Sequence, residues 1–166
     1  MDVRKALTAF FFPRPGRRLL LRMLAVTLAS FAVFYFVVVP VRLKGGSMEP
    51  TLRDGSLHFM FAGSYLFSEP KPGDVVGIKL AGRRVVLLKR VVAVGGERVS
   101  FENGTLMVNG KQRREPYIKG ECDWNYPARV VARGNVFVVG DNRSVPMESH
   151  DFGEVSKKRI TGRLIW

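Results

Sequence analysis

The sequence has few of the residues that form disulfides and metal sites. It contains one cysteine, Cys122, so no disulfide can form within the 166-residue chain. Glu121 and Asp123 flank this cysteine, and neighbouring carboxylates raise a thiol pKa, so we interpret Cys122 as a loop residue and not as a nucleophile. With two histidines and no CxxC or HExxH spacing, the sequence predicts no metal site and no cofactor.

Acidic residues are also scarce relative to basic ones. The chain has 14 Asp and Glu against 27 Lys and Arg, a formal net charge of +13. Such an excess is typical of proteins that bind nucleic acid or anionic lipid headgroups. Because the same chain carries an apolar run of membrane length, we predict a lipid bilayer as its partner, and no nucleic acid.

That apolar run extends from Met23 to Val41, 19 residues without a charge. A hydrocarbon core of about 30 Å needs a helix of roughly this length. Pro40 is where such a helix is expected to end or bend. The alternative is a cleaved signal peptide, but its apolar region is typically about 7–15 residues long and is followed by small residues. We therefore predict a retained transmembrane anchor at residues 23–41.

The charges around the run predict its direction. Six basic residues and one acid precede it, and the basic residues are Arg4, Lys5, Arg14, Arg17, Arg18 and Arg22. By the positive-inside rule, residues 1–22 form a cytoplasmic N-terminus. Residues 42–166 are then one domain, of ordinary size, on the outer face of the cytoplasmic membrane. The protein is predicted to be a single-pass membrane protein.

The predicted outer domain has short apolar stretches separated by turn residues. We predict strands at residues 56–61, 75–78, 84–94, 99–101, 106–108 and 135–139. Asn103-Gly104 lies between two of these strands and is a favoured dipeptide of the type I′ hairpin turn. No segment after the anchor keeps helical apolar periodicity over three turns. The predicted fold is mainly β, built as a barrel or as paired sheets, after one N-terminal transmembrane helix.

Two residues of this domain are candidates for nucleophilic catalysis. Ser47 lies between Gly46 and Met48, six residues beyond Val41, and a serine hydroxyl needs a base to act as a nucleophile. Lys89 lies in an apolar predicted strand, where desolvation favours the neutral amine that a base requires. Its neighbour Arg90 cannot lose its proton and would face the other side of the strand. An ordinary turn serine and an ordinary strand lysine remain the alternatives.

A second catalytic arrangement would use His150 and Asp151 with Ser47, as a serine–histidine–acid triad. Adjacent residues of an extended chain point in opposite directions, so His150 and Asp151 would not readily pair. The Ser47 and Lys89 pair is therefore favoured over this triad.

Four sequence blocks after the anchor resemble those of the type I signal peptidases. Residues 46–52 (GSMEPTL) are similar to the family's S-M-x-P-T-L block, and residues 89–96 (KRVVAVGG) to its K-R-V-x-A-x-x-G block. Residues 140–143 (GDNR) match its G-D-N-R block, and residues 71–76 (KPGDVV) resemble the turn and strand between these blocks. The blocks occur in the family's order along essentially the whole outer domain.

The resemblance implies a β-rich serine endopeptidase that removes signal peptides from exported preproteins. It implies that Ser47 attacks the scissile carbonyl, that Lys89 takes the serine proton, and that the Ser47 N–H stabilises the oxyanion. Some members add a hydroxyl two residues before the nucleophile, where this chain has Gly45. Asp141 and Arg143 would hold the Lys89 side of the site.

The resemblance also implies how the substrate binds. Signal peptides with small residues at −1 and −3 would pair as extended strands with an exposed strand edge. The residues expected to contact them are Met48, Val86, Leu87 and Leu88. The aromatic run of residues 59–61 is expected to line a pocket, touch lipid or belong to the core.

The last block departs from the family pattern. Pro146 stands where the family has a serine whose hydroxyl often contacts the lysine, so Ser144 and Ser149 are candidate substitutes for that serine. His150 stands where the family has a residue that is always charged, whereas histidine titrates near about 6.5.

Two other functions remain open at this stage. A related Ser/Lys peptidase would process one narrow substrate class, such as a pilin or a conjugation protein. A non-enzymatic protein would combine the anchor with a basic, lipid-binding β domain, and it would tolerate replacement of Ser47 and Lys89.

Overall fold

The computed structural model describes residues 16–79, 86–118 and 120–165. The chain divides after Val37 into two compact units, of which the first contains a helix and the second contains the strands. The predicted fold class, mainly β with one N-terminal apolar helix, is confirmed.

The helix α1 spans Arg17–Val37, 21 residues that are long and apolar enough to cross a membrane by length and composition. It begins six residues before the start of the predicted segment 23–41 and ends four residues before the end of that segment. The arginines at its start are good helix formers, so they extend it toward the N-terminus. The β-branched residues around Pro40 leave the helix and form a strand instead. Residues 1–15 of the predicted cytoplasmic segment lie outside the described part of the chain.

The described residues of the second unit form strands and three short 3₁₀ turns. The turns are Ala62–Tyr65, Met147–Ser149 and Lys157–Arg159. The strands are β1 (Val38–Arg42), β2 (Leu57–Phe61), β3 (Val75–Lys79), β4 (Val86–Val94), β5 (Arg98–Glu102), β6 (Thr105–Val108), β7 (Lys111–Gln112), β8 (Tyr126–Val130), β9 (Asn135–Val139), β10 (Gly153–Ser156) and β11 (Ile160–Ile165).

These strands form two antiparallel sheets, as one of the two predicted arrangements requires. The larger sheet has the order β1-β2-β11-β3-β4-β9-β10, and the smaller has the order β7-β6-β5-β8. All six predicted strands are found, although residues 84 and 85 of the third prediction lie outside the described residues. The chain enters the smaller sheet between β4 and β5 and returns to the larger sheet between β8 and β9.

Two Asn-Gly turns set the register of the smaller sheet. Asn103 and Gly104 have φ values of 46° and 77°, as a type I′ turn requires at both central residues. Asn109 and Gly110 repeat this with 54° and 74°. The first turn joins β5 to β6 and the second joins β6 to β7, so the hairpin prediction is confirmed.

The strand β4 runs through the centre of the larger sheet, between β3 and β9, and contributes to three apolar clusters. Leu88 packs in a cluster with Met48, Val91 in a second cluster with Val76, and Val92 in a third. Because β4 is held on both sides by core residues, the polar side chains that it carries have fixed positions.

Candidate active site

Ser47 lies in the turn that follows β1 and is tied to the loop that follows β9. Its carbonyl oxygen accepts a hydrogen bond of 3.0 Å from the Asn142 N–H, and the Gly46 carbonyl accepts one of 3.0 Å from Asn142 Nδ2. On the other side, Gly45 has a φ of 91° and donates from its N–H to Asp54 Oδ1 over 2.8 Å. The serine turn is therefore held at both ends.

Met48 anchors the same turn in the core. Its side chain is 0% exposed and packs with Leu43, Leu52 and Leu88. A fully buried side chain cannot present its surface to a ligand in this conformation. Met48 was predicted to bind substrate, whereas the structure places its side chain in the core, next to the Ser47 turn.

Lys89 lies on β4, opposite Val76 of β3, and is 2% exposed. By the two-residue period of a strand, Leu87 and Val91 share its face, and both pack in the cluster of Val76. This burial lowers the pKa of the Lys89 ammonium, and the carboxylates of Asp151 and Asp141 offset part of that effect. The environment thus favours the neutral amine.

Arg90 turns away from Lys89 and forms a buried ion pair with Asp141. Its Nε and Nη2 donate to the two carboxylate oxygens over 2.8 and 2.6 Å, and Nη1 donates to the Gly73 carbonyl over 2.7 Å. Asp141 is 0% exposed, and the Tyr117 ring lies 3.9 Å from the guanidinium carbon. This pair fixes the 140–143 loop to the residue after Lys89.

Arg143 holds the other end of the loop. It donates from Nε to the Gly140 carbonyl over 2.8 Å, and its two terminal nitrogens pair with Glu115 at 2.5 and 3.1 Å. Its guanidinium also lies over the rings of Phe101 and Trp124. Sequence reasoning missed Glu115, because a glutamate between Arg114 and Pro116 resembles an ordinary loop residue.

The two candidate serines, Ser144 and Ser149, are both exposed. The Ser144 hydroxyl lies against Gly120, where it would meet any added Cβ. Among the described residues, no hydrogen bond joins either serine to Lys89. Pro146 begins the 3₁₀ turn that carries Ser149. Their predicted role in orienting Lys89 remains a prediction.

His150 packs close to Ser47 and was not assigned a supporting role from sequence. It is 7% exposed, its ring lies 4.8 Å from the Trp124 ring, and its Nε2 lies 2.7 Å from the Asn142 carbonyl oxygen. Burial lowers the pKa of this imidazole, and the charge of Lys89 lowers it further. The Nε2 contact is with Asn142, whereas the triad alternative would need it to face the Ser47 hydroxyl.

Gly140 allows this close packing because it lacks a side chain. A Cβ at this position would collide with the Ser47 carbonyl oxygen and with Cε1 of His150. The glycine of the 140–143 block is thus required by the approach of the serine turn to the loop.

A groove of about 430 Å³ opens beside Ser47. It is lined by Val39, Pro40, Val41, Arg42, Leu43, Lys44, Ser47, Val86, Leu87 and Leu88. The groove residues from β4 are Val86 to Leu88. Pairing of β4 with β9 begins only at Arg90, so β9 does not pair with this part of the strand. In the aromatic run, Phe59 and Phe61 are exposed, whereas Met60 belongs to the core.

The groove and the loop bring Ser47 and Lys89 into one region. Ser47 shares the groove with the three residues before Lys89, and it is bonded to the loop whose Asp141 pairs with Arg90. Among the described residues, the connection runs through these groups and not through a direct hydrogen bond between Ser47 Oγ and Lys89 Nζ.

The chain is similar to known proteins over most of its length. The family described as "Signal peptidase, peptidase S26" matches residues 16–166. Signal peptidase IB of Staphylococcus aureus strain COL is 33% identical over 152 residues, which cover 81% of this chain and 79% of that protein. Signal peptidase I of Bacillus licheniformis is 33% identical over 150 residues, covering 84% and 80%. A crystal structure of a signal peptidase I from Enterococcus faecalis V583 aligns with a TM-score of 0.49 at 23% identity, covering 59% of this chain and 98% of that one.

Proposed function

The chain belongs to the signal peptidase family, peptidase S26, and on that premise we propose that it is a membrane-anchored serine endopeptidase that removes signal peptides from exported preproteins. Membership of this family makes it a hydrolase, so the non-enzymatic alternative is not retained. The observation that carries the proposal for the site is a buried lysine with a lowered pKa beside the loop that holds Ser47.

In the proposed mechanism, the neutral Lys89 amine accepts the Ser47 hydroxyl proton while Oγ attacks the scissile carbonyl carbon. A C–O bond forms, and the negative charge on the carbonyl oxygen is stabilised by the Ser47 N–H. The Lys89 ammonium then gives its proton to the leaving amine as the C–N bond breaks. Water, activated by Lys89, hydrolyses the resulting ester, releases the cleaved signal peptide and restores the serine.

The groove supports binding of an extended peptide. Its β4 wall, Val86 to Leu88, has backbone groups with which a substrate strand can pair. Residues two apart in that strand share a face, so the −1 and −3 side chains would enter the same apolar side of the groove. Small residues at these positions fit a groove whose wall lies directly beside Ser47.

The helix α1 is the proposed anchor. Its length and mean hydropathy suit a single crossing, and the arginines at its N-terminal end favour a cytoplasmic N-terminus. The domain that begins at β1 would then act on the outer face of the cytoplasmic membrane, where exported preproteins arrive.

We expect the purified full-length protein, in detergent or liposomes, to cleave a preprotein after an alanine at −1. Replacing that alanine with phenylalanine should lower the rate by about a hundredfold or more, because the groove beside Ser47 would have to accept a bulky ring. Mass spectrometry of the product N-terminus measures both site and rate. Equal cleavage of both substrates would contradict the assignment, and cleavage of one preprotein class alone would favour the narrower processing peptidase.

The rate should also depend on pH through Lys89. Because the base must be neutral, kcat/KM is expected to rise with pH and then to level off. The midpoint of the rise should lie below 10.5, the pKa of an ordinary lysine, since burial lowers the Lys89 pKa. The measurement is a pH profile of kcat/KM. A profile that stays flat down to pH 5 would contradict the role of Lys89.

A variant of Asp151 sharpens this test. Its carboxylate raises the pKa of Lys89, so Asp151→Asn should move the acidic limb of the profile to lower pH. Asp123→Asn, which also removes an exposed carboxylate, is the matched control and should leave the limb in place. A shift to higher pH in Asp151→Asn would show that another group titrates.

A further inference from the structure

We propose that His150 is a positioning residue for Ser47, whose neutral imidazole donates a hydrogen bond to the Asn142 carbonyl and thereby holds the serine turn. The inference rests on the proposed role of Ser47 as nucleophile. It adds a residue that acts through Asn142 and does not itself touch the substrate.

The contacts form a continuous path from the ring to the serine. His150 Nε2 lies 2.7 Å from the Asn142 carbonyl oxygen. Asn142 then donates from its backbone N–H to the Ser47 carbonyl and from its side-chain amide to the Gly46 carbonyl, both over 3.0 Å. Any displacement of Asn142 would therefore move the backbone on both sides of the nucleophile's N–H.

The imidazole ring is closely packed. Trp124 lies against it at 4.8 Å with an interplanar angle of 70°, and the indole N–H donates to the Val145 carbonyl over 3.0 Å. The ring also approaches Gly140 so closely that a Cβ there would collide with Cε1. The imidazole is thus packed against both the Trp124 ring and the backbone of the loop.

The surroundings of the ring favour its neutral form. A carbonyl oxygen only accepts, so Nε2 carries a hydrogen. Among the described residues, Nδ1 is buried and has no hydrogen-bond partner, so a second proton there would lack an acceptor. Burial is the main cause that lowers the His150 pKa, and the charges of Lys89 and Arg143 lower it further. The Asn142 hydrogen bond and the Asp151 carboxylate offset part of this effect. The imidazole therefore stays neutral where Lys89 acts as a base.

Two substitutions of His150 can separate the contribution of the hydrogen bond from that of the ring packing. Phenylalanine keeps the ring against Trp124 but has no donor, and it leaves the partly buried Asn142 carbonyl without this partner. Glutamine loses the ring but offers a neutral N–H donor. His150 has no part in lining the groove, so loss of the donor should act on kcat, through the geometry of Ser47, more than on KM.

The experiment compares His150→Phe and His150→Gln with wild type on one preprotein. We expect His150→Phe to lower kcat by roughly tenfold or more with KM changed less than about twofold, because loss of one hydrogen bond that positions Ser47 is worth about 1–2 kcal/mol. His150→Gln should recover most of that loss and keep the wild-type acidic limb of the pH profile, since Lys89 sets that limb. His58→Gln, the same substitution at the other histidine, is the control.

Thermal unfolding establishes that each variant is folded, and His150→Met replaces His150→Phe as the donor-free variant if the latter does not fold. Unchanged kcat in the donor-free variant would overturn the inference. Equal loss in the donor-free and glutamine variants would also overturn it, because packing alone would then explain the effect. If wild type does not cleave a preprotein, the proposed function fails; if wild type cleaves and the variants match it, only the role of His150 fails.

Discussion

Replacing Ser47 with alanine is expected to lower kcat/KM for preprotein cleavage by about 10⁴-fold or more, the usual consequence of removing a nucleophile. Replacing Lys89 with methionine should have an effect of similar size. Methionine fills a similar volume in the apolar strand but cannot accept a proton. The measurement is the initial rate of product formation with full-length enzyme, at a pH on the plateau of the wild-type profile.

The two substitutions should not be additive. If Lys89 acts only by taking the Ser47 proton, it has no function once the hydroxyl is gone, so the double variant should be no slower than Ser47→Ala. Additive losses would mean that the two residues act independently and would contradict the proposed pair.

Two exposed residues provide matched controls. Ser68 lies in the loop after β2 and Lys79 is the exposed last residue of β3, so Ser68→Ala and Lys79→Met should retain wild-type rates. Removing a buried amine also removes its desolvation penalty, so Lys89→Met should unfold no more readily than wild type. If the variant is inactive but fully folded, the loss of activity is due to the catalytic step and not to unfolding. Wild-type cleavage by Ser47→Ala or Lys89→Met would refute the assignment.

The parts of the fold that could be predicted are those with local causes. An Asn-Gly pair between apolar runs specifies a hairpin because both residues tolerate positive φ, and Asn103-Gly104 forms that turn. The β-rich class likewise follows from short apolar stretches separated by turns. Ser47 and Lys89 could be singled out because each combines a reactive group with a local setting that suits it.

The remaining features depend on contacts between distant segments. The strand β1 was not separated from the anchor, because Val38 to Val41 is as apolar as the helix before it. Pro40 predicted an end or a bend, but the strand itself depends on pairing with β2. The burial of His150 depends on Trp124, which lies 26 residues earlier in the chain. Glu115 similarly becomes a core residue only when it meets Arg143. No local pattern signals these pairings.

The largest effect on stability is expected at Asp141. Asp141→Asn keeps the shape of the side chain but removes the charge that compensates Arg90, leaving a buried guanidinium without its partner. Loss of one member of such a pair typically costs about 3–5 kcal/mol in the free energy of unfolding. For a chain of this size, that corresponds to a melting temperature lower by roughly 10 °C or more. Urea unfolding and thermal unfolding of the variant measure both quantities.

Asp123→Asn is the control, because the same exchange at an exposed residue should change stability by less than about 0.5 kcal/mol.

A double-mutant cycle with Arg90→Met separates the ion pair from the other contacts of Arg90. Once the guanidinium is gone, Asp141→Asn should cost much less, because no cation remains uncompensated. The same pair holds the loop that carries Asn142, so Asp141→Asn should also lose activity at temperatures where it is still folded. Wild-type stability in Asp141→Asn would mean that the loop is held to β4 by other contacts.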